Sequence, residues 1–508
     1  MIGLRKIASL REVVLWIPGG ALFTGLIILA GCVVGPRYSR PSAPVPTDYK
    51  ETPQNWKPAQ PADQTLRGKW WEVYQDPQLN ALEEKVNISN QSLKAAEAQF
   101  AQARAAVRYN RADYYPAITA GVSATRERLS ANRPLAQVSG ATGTTSTGAV
   151  TTNDLVIPVD MSYEPDVWGR VRRTVEAARA DAQASLADLE SVRLSVHAEL
   201  AVDYFQSREL DAEAQLLDST VSSYARQLEL TNNRYHGGVA SQVDVAQAQT
   251  QLETARAQAI DVREQRTQFE HAMAVLIGEP ASIFILPTAA LNAAPPVIPP
   301  GLPSELLERR PDIAATERQM ASANARIGIA KAAYFPLFNL TPSAGFESTS
   351  IVNWLSDPSA FATLGASAVV TAFDAGRRRA ASDQARAAYD QAVANYRQNV
   401  LTAYQEVEDN LAALRLLEDE SNTETAAVAA AEHSLALSNN RYKGGVTTYL
   451  EVITAQATAL ADERTAVQIS GRRMVDSVLL IKALGGGWDA ASLSTVKMES
   501  RTPVPSGQ

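Results

Sequence analysis

The sequence predicts a mainly helical protein with a small amount of membrane β-structure, built from a duplicated half-domain. Three observations lead to this fold class. The chain contains an internal duplication, it has long stretches without Pro or Gly, and four short stretches alternate between apolar and polar residues. Long unbroken stretches favour helices, whereas alternation with a period of two favours strands.

The duplication is visible in two segments that lie 207 residues apart and agree at 11 of 21 positions. Leu228–Ala248 reads LELTNNRYHGGVASQVDVAQA, and Leu435–Ala455 reads LALSNNRYKGGVTTYLEVITA. Solenoid repeats have periods of roughly 20–50 residues, so this period is too long for a solenoid. It therefore indicates two copies of a half-domain.

Each copy begins with a helical stretch, continues into a pair of alternating stretches, and ends with a long and a shorter helix joined by a Gly-Gly turn. This order divides the chain into six parts. They are a lipoprotein signal peptide (1–31), an extended N-terminal segment (32–76), a first repeat (77–279), a Pro-rich linker (280–303), a second repeat (304–487) and a flexible C-terminal tail (488–508).

The lengths of the predicted helices indicate a tall helical cylinder. A helix of roughly 65 residues spans about 100 Å at ~1.5 Å per residue. The shorter helices have roughly 35 residues each, so two of them end to end match one long helix. We therefore expect one continuous helix to pair with two stacked antiparallel ones. The helices of an ordinary soluble bundle, which is the alternative, are usually far shorter.

The four alternating stretches predict strands near 115–128, 154–166, 336–348 and 361–373. Each has about the ~9–11 residues of a membrane strand. Pro158 and Pro342 argue against central positions in a sheet, because proline cannot donate to the ladder. Four strands cannot close a barrel, which needs at least ~8, and open sheet edges are not tolerated in lipid. Several chains must therefore share one barrel, and the strand count leaves two, three or four chains open.

The N-terminus has the pattern of a secretory signal, with three basic residues between positions 5 and 11 before an apolar stretch at 13–30. The stretch ends in Leu29-Ala30-Gly31-Cys32, which resembles the lipobox of bacterial lipoproteins, and Cys32 is the only cysteine of the chain. A lone thiol in an exported protein cannot form an internal disulfide. We therefore expect a covalent lipid on Cys32 and a location at the outer membrane. An inert buried thiol and a transmembrane anchor are the alternatives.

Composition excludes several classes of function. The formal net charge is −8, and an acidic chain is a poor nucleic-acid binder because neutralising phosphates requires surplus cations. No HExxH, GxxxxGK[ST] or GxSxG motif is present in the sequence, so we expect no enzyme site and no cofactor besides the lipid. The histidines lack a second ligand at metal spacing, and we expect them on helix surfaces; they are His197, His236, His271 and His433.

Several motifs, in the same order along the chain, resemble those of TolC-type outer-membrane efflux proteins, in the lipid-anchored NodT branch that serves RND pumps. They are Trp70-Trp71 with Asp76-Pro77-Gln78-Leu79, then Arg310-Pro311-Asp312-Ile313, then Phe373-Asp374-Ala375-Gly376-Arg377. The resemblance implies a homotrimer with a shared twelve-stranded outer-membrane β-barrel and a long periplasmic α-barrel. It also implies a passive exit duct that a periplasmic adaptor protein couples to an inner-membrane RND transporter.

The sequence leaves two alternatives to this function open. They are the exit duct of a type I protein-secretion system and a coiled-coil envelope lipoprotein without a channel. The lipobox and the motifs argue against the first, and the alternating strands argue against the second. The cargo cannot be read from the sequence, because a wide duct selects little.

The duplicated Gly-Gly turns are expected to form the periplasmic tip that meets the adaptor. The residues are Arg234, Tyr235, Gly237 and Gly238 in the first repeat, and Arg441, Tyr442, Gly444 and Gly445 in the second. Glycine also ends a helix, because it adopts the left-handed C′ conformation readily. The resemblance also implies a gate at the pore mouth. The candidate gate residues are Asp244, Glu451, Arg441 and Tyr442. Ser241-x-x-Asp244 and Thr448-x-x-Glu451 also match the capping-box pattern.

Basic residues begin both long helices, where cations oppose the helix macrodipole. They are Arg170, Arg172, Arg173, Arg377, Arg378 and Arg379. An unfavourable charge in both repeats indicates compensation by neighbouring groups. These residues lie beside the predicted strands, which indicates contact with phospholipid headgroups. The alternative is a ring of arginines that contact only water.

Replacing the lipobox cysteine tests the predicted anchor. We expect Cys32→Ser to abolish incorporation of a labelled fatty acid, because the acyl acceptor is the Cys32 thiol. Adding Ser39→Cys to this variant is the control, since a thiol outside the lipobox should not restore labelling. Normal labelling of Cys32→Ser would show that the chain is not a lipoprotein acylated at this position.

Overall fold

A computed structural model describes residues 33–43, 45–51, 68–130, 150–291, 294–299 and 303–488. The predicted signal peptide, Cys32 and most of the predicted C-terminal tail lie outside the described residues. The chain divides into two compact units. Of the described residues, the first contains those up to Ser39 and those within Arg104–Asp181 and Met320–Gln391. The second contains those within Arg40–Ala103 and Ala182–Gln319 and those from Ala392 onward.

Three pairs of helices in the described residues have equal lengths in the two copies. The helices are α1 (Pro77–Ser89), α2 (Gln91–Ala112), α3 (Arg170–His236), α4 (Gln242–Leu276), α5 (Leu306–Arg309), α6 (Pro311–Ala332), α7 (Arg377–Lys443) and α8 (Tyr449–Ala483). α3 and α7 have 67 residues each, and α4 and α8 have 35 each. These equal lengths confirm the duplicated half-domain. Within the described chain, no helix combines the length and the hydropathy of a membrane span.

One antiparallel sheet lies in the first unit. Its segments are β1 (Ala117–Ala120), β2 (Ser123–Leu129), β3 (Val150–Ser162), β4 (Leu337–Ser348) and β5 (Ala360–Val369). β1 and β2 both pair with β3, β3 pairs with β4, and β4 pairs with β5. β1 and β2 keep one register, because Ala120 lies opposite Val159 and Ser123 lies opposite Val156. They form one interrupted strand, so the sheet has the four strands that the sequence predicts.

A proline causes the interruption between β1 and β2. The N–H of Gly121 donates to the carbonyl of Pro158 at 3.1 Å. Pro158 has no N–H with which to return the bond, so the ladder loses one bond at this point. The prediction that Pro158 avoids a central strand is therefore wrong, because β3 pairs on both sides.

Pro342 interrupts the next ladder in the same way. The β3–β4 pairing stops at Asp160 and Ser343 and resumes at the bridge between Tyr163 and Leu340. The register places Pro342 in this gap. β4 is also a central strand, so the same prediction is wrong for Pro342. Each proline is tolerated because the neighbouring pairs on either side keep the register.

Three strand ends also differ from the predicted ones. β3 spans Val150–Ser162 rather than 154–166, and β5 ends at Val369 rather than near 373. Thr151 and Thr152 extend β3 by pairing with Arg128 and Glu127 of β2. Threonine is β-branched and fits a pleated surface, although the composition around it is typical of a loop.

The register confirms that the sheet has one apolar and one polar face. Apolar neighbours across the strands include Ile118 with Met161, Val159 with Ala344, Ile157 with Phe346, and Phe338 with Ala368. On the opposite face, one polar row crosses all four strands and consists of Thr119, Asp160, Ser343 and Thr363. This arrangement is the one that a strand needs between lipid and water.

The Trp70-Trp71 motif packs the residues before α1 against α3. Both indole rings are buried, and Trp71 stacks on His197 of α3 with the ring centroids 4.4 Å apart. Asp76 caps α1 by accepting hydrogen bonds from two backbone N–H groups, and it accepts another from the Tyr204 hydroxyl at 2.6 Å. The motif therefore fixes the start of the first repeat on its long helix.

His197 is buried, and the prediction that it lies on a helix surface is wrong. Its Nδ1 lies 2.5 Å from Oε2 of Glu83. Burial lowers the pKa of His197 to about 4 and raises the pKa of Glu83 well above its usual value. Burial thus favours the uncharged form of both groups, which keeps net charge out of the core. The sequence carries no signal for this pair, because its members lie 114 residues apart.

Arg310 joins the start of α6 to the end of α8. Its buried guanidinium lies 2.6 Å from carboxylate oxygens of both Asp312 and Glu406. It also donates to the carbonyl of Ala483 at 3.1 Å. Ala483 is the last residue of α8, where carbonyl groups have no partner within the helix. The Arg-Pro-Asp motif therefore holds α6, α7 and α8 together.

The close approach of β3 and β4 predicts the effect of one methyl group. Gly345 lies opposite Pro158, and a Cβ at Gly345 would overlap the carbonyl oxygen of Ile157. We expect Gly345→Ala to lower the free energy of unfolding by about 1–3 kcal/mol, because overpacking forces the backbone to shift. Thermal unfolding of the purified protein measures this change. Gly121→Ala is the matched control, since a Cβ there meets nothing within 4 Å. Equal unfolding midpoints for the two variants would contradict this packing.

Candidate functional site

Both Gly-Gly turns close their helices with the same backbone geometry. In the first repeat, the N–H of Val239 donates to the carbonyl of Arg234 at 2.8 Å, and Gly238 has a φ of +75°. The second repeat has the equivalent bond at 2.9 Å, and Gly445 has a φ of +74°. A left-handed residue followed by a bond back to the last turn is the Schellman arrangement. Glycine is required at Gly238 and Gly445, because a side chain strains this conformation.

Asp244 closes the start of α4. Its N–H donates to the Ser241 hydroxyl at 3.2 Å, and its carboxylate accepts from the N–H of Ser241 at 2.9 Å. These reciprocal bonds form the capping box that the sequence predicts. The carboxylate also lies where the helix macrodipole favours negative charge. In this conformation, Asp244 therefore caps and stabilises its own helix.

Glu451 differs from its equivalent in the first repeat. Thr448 makes no side-chain bond at the start of α8, so the predicted second capping box is wrong. Glu451 accepts instead from the Thr447 hydroxyl and lies 3.0 Å from the guanidinium of Arg441. Glutamate is one methylene longer than aspartate, and its carboxylate reaches α7. The ion pair joins the two sides of the second turn.

Arg234 and Tyr442 link the two repeats beside these turns. Arg234 donates to the carbonyl of Lys443 at 3.3 Å, and its guanidinium lies 4.7 Å from the centroid of the Tyr442 ring. This distance is within the range of cation–π contacts. The Tyr442 ring is buried against Tyr449, and its hydroxyl has no hydrogen-bond partner among the described residues. Asp244 and Tyr442, two candidates for one gate, are thus not hydrogen bonded to each other within a single chain.

The structure adds an apolar surface at the turns that the sequence analysis did not find. Its exposed side chains are Tyr235, Val239 and Val243 in the first repeat, and Val446 and Leu450 in the second. Val239 and Val446 are equivalent in the duplication, as are Val243 and Leu450. Exposed apolar patches on otherwise polar surfaces mark sites of interaction. The repeated Gly-Gly-Val sequence is the signal that could have found this surface.

Nearby carboxylates compensate the basic residues at the start of α3. Arg170 lies 2.5 Å from Glu164, and Arg172 lies 3.1 Å from Asp166. The Asp166 carboxylate also accepts from the backbone N–H groups of Val171 and Arg172. It therefore offsets both the added cations and the positive end of the macrodipole.

The second repeat uses one carboxylate for the same purpose. Asp374 lies 2.6 Å from Arg378 and accepts from the N–H of Gly376 at 3.1 Å. The hydrogen bond from Arg378 holds the pKa of Asp374 below its usual value. The charge of Asp374 is therefore stabilised at the helix start.

Arg173 is buried, so the predicted contact of this residue with a lipid headgroup is wrong. The residue is 5% exposed, and its guanidinium lies 2.8 Å from Glu176 and donates to the carbonyl of Pro36 at 2.9 Å. Arg377 and Arg379 are exposed. For these two residues, and for the partly exposed Arg170, Arg172 and Arg378, headgroup contact stays a prediction.

Comparison with known proteins shows the family to which the chain belongs. A sequence profile described as "Outer membrane efflux protein" matches residues 82–279 and 302–486. The antibiotic efflux pump outer membrane protein ArpC of Pseudomonas putida is 32% identical over 463 residues, which cover 91% of this chain and 94% of ArpC. The chain belongs to the outer membrane efflux protein family.

Further members of the family agree in sequence and in fold. The pyoverdine export outer membrane protein OpmQ of Pseudomonas aeruginosa is 30% identical over 457 residues, covering 88% of this chain and 94% of OpmQ. The solved structure of the outer-membrane channel OprN matches with a TM-score of 0.81 at 28% identity, over 90% of this chain and all of that chain. These similarities support an outer-membrane efflux channel with a large periplasmic part over both alternatives from the sequence analysis.

The different bonding of Asp244 and Glu451 predicts different costs of removing them. Asp244→Ala should lower the stability of the α4 start by about 0.5–2 kcal/mol, because a capping bond is lost. Glu451→Ala should cost about 0–1 kcal/mol, because it removes an exposed ion pair and a hydroxyl contact but no capping bond. Amide hydrogen exchange at the two helix starts measures both changes. Faster exchange after Glu451→Ala than after Asp244→Ala would mean that Glu451, not Asp244, is the cap.

Proposed function

We propose that the chain is the passive exit duct of a tripartite efflux system. In this system, small molecules pass from an inner-membrane RND transporter through a periplasmic adaptor to the duct. The four-stranded sheet carries the proposal. Its apolar face suits contact with lipid, its polar face suits contact with water, and its two outer strands each pair on one side only within the described chain.

The proposed assembly is a homotrimer with one twelve-stranded barrel. An open sheet edge is not tolerated in hydrocarbon, so the β1–β2 edge of one chain must pair with the β5 edge of another. A head-to-tail contact between identical chains can close into a ring. Two, three or four chains would all supply at least the ~8 strands that a barrel needs. The resemblance to TolC-type proteins favours three.

The apolar surface at the Gly-Gly turns supports docking of the adaptor. It combines exposed apolar side chains with a closed backbone turn in both repeats. The ion pair between Arg441 and Glu451, together with the Arg234–Tyr442 contact, supports a gate at the same place. An opening movement of α7 and α8 relative to α3 would have to break the second of these contacts. Asp244 contributes to the gate only if it exchanges its capping bonds for a partner in another chain.

The anchor and the cargo complete the proposed function. A lipid on Cys32 would fix the chain to the outer membrane, and the exposed Arg377 and Arg379 would lie at the headgroups beside the sheet. ArpC is named for antibiotics and OpmQ for pyoverdine, so related ducts serve chemically different small molecules. We accordingly assign small-molecule efflux without a specific cargo, and no catalytic step.

Two measurements on the purified protein test the duct. In detergent, the mass should be that of three chains, because one chain cannot seal its own barrel. In planar lipid bilayers, the same sample should form discrete conducting channels. Material taken through the same purification from cells without the gene is the control for contaminating porins.

Each outcome has a separate meaning. A stable monomer that conducts fully would overturn the shared barrel. Masses of two or four chains would retain the shared barrel but exclude the trimer. A trimer without conductance, and without any effect on drug accumulation in cells that lack their own duct, would exclude the proposed efflux function.

A further inference from the structure

A cavity of about 420 Å³ lies where the start of α3 meets the ends of the sheet strands. Its volume falls in the range of sites that bind small organic ligands. Most of its lining is apolar and includes Val167, Trp168, Phe335, Leu337 and Val369. The charged side chains at its border are already paired, since Arg170 bonds to Glu164. The cavity therefore suits an aliphatic ligand better than a charged one.

Trp168 forms a rigid wall of this cavity. Its indole N–H donates to the carbonyl of Pro336 at 2.8 Å, and its ring stacks on Phe335 with the centroids 4.7 Å apart. The carbonyl of Trp168 accepts from the N–H of Val34 at 3.1 Å. The first described residues of the chain therefore bond directly to a residue that lines the cavity.

The N-terminal residues are held at this place by close backbone contacts. Val33 packs against Gly169, where an added Cβ would lie 2.9 Å from the Val33 side chain. Gly35 packs against Gly328 of α6, where an added Cβ on Gly35 would lie 2.6 Å from the Gly328 Cα. Arg173 donates to the carbonyl groups of Val34, Gly35 and Pro36. Such contacts fix both the position and the direction of the segment.

Trp168 and Arg173 have no counterparts in the second copy of the duplication. The position equivalent to Trp168 is Ala375, and the position equivalent to Arg173 is Ala380. Tyr114-Tyr115-Pro116 in the first repeat lies 220 residues before the similar Tyr334-Phe335-Pro336 in the second, and at this spacing Gly328 corresponds to Arg108. The N-terminus occurs once in each chain, and these three residues beside it differ from their equivalents in the other repeat.

We infer that the cavity binds an acyl chain of the lipid carried by Cys32. Cys32 directly precedes Val33 in the sequence, and Val33 packs against Gly169, the residue that follows Trp168. A covalently attached chain is present at a high effective concentration, which favours it over the free lipids of the bilayer. The inference rests on the proposed lipidation of Cys32. The lipid anchor then has a second role, because one of its acyl chains is bound in the cavity of the protein itself.

A photo-crosslink within the full-length protein tests this binding. Leu337 is replaced by p-benzoylphenylalanine, and the cells are fed an alkyne-tagged fatty acid. The protein is purified as its assembly in detergent, irradiated, digested and analysed by mass spectrometry. We expect the peptide that contains position 337 to be joined to the acyl chain of the N-terminal lipopeptide that begins at Cys32.

A variant that fills the cavity sharpens the test. Adding Ala333→Trp should reduce the crosslink at least severalfold, because Ala333 is exposed and lines the cavity. Ala112→Trp is the matched control, since Ala112 is exposed at the end of the first-repeat helix and does not line the cavity. Both variants should keep the mass of the assembly, which shows that they fold.

The outcomes separate the acyl site from the lipidation itself. A tagged N-terminal lipopeptide with crosslinks only to free phospholipid or detergent would overturn the acyl site and leave the anchor intact. An equal crosslink in the Ala333→Trp and Ala112→Trp proteins would also overturn it. An N-terminal peptide without any tag would overturn the lipidation, and the acyl site with it.

Discussion

Hydrocarbon offers no hydrogen bonds to a peptide backbone, so every backbone group of a membrane sheet must find its partner within the protein. The rest of the structure depends on this constraint. The β1–β2 strand and β5 each leave one row of backbone groups unpaired within the described chain. A single chain therefore cannot be stable in the membrane. The two prolines illustrate the same constraint at smaller scale. Each forfeits one ladder bond in a central strand and is tolerated because the bonds on either side remain.

The sequence predicts most of the fold because its strongest signals are periodic. The duplication predicts helices of equal length, and α3 and α7 are equal. The alternation predicts an apolar face, and the register of β1, β3, β4 and β5 confirms it. The start of β3 at Val150 could not be predicted, because Thr151 and Thr152 become strand residues only through their pairing with β2. Long-range pairing overrides the loop-like composition.

The candidate site is less predictable, because it depends on contacts rather than on patterns. Ser241 and Asp244 are close in sequence, and their capping box is found from the sequence alone. The equivalent Glu451 bonds to Arg441 instead, and nothing in a local pattern distinguishes these two outcomes. The basic residues at the helix starts behave similarly. Their charge pattern predicts compensation correctly, but only the packing shows which arginine is buried.

A duplicated fold with one N-terminus cannot keep its two halves identical. The N-terminal segment contacts Gly169 and Arg173 in the first repeat and Gly328 in the second. Arg173 and Gly328 stabilise this segment, and the positions equivalent to them carry different residues. Arg173 with Ala380, and Gly328 with Arg108, are such pairs. The Gly-Gly turns show a parallel divergence, since Arg234 contacts the second repeat while Arg441 pairs within its own. Differences between equivalent positions therefore locate the contacts that the duplication alone does not provide.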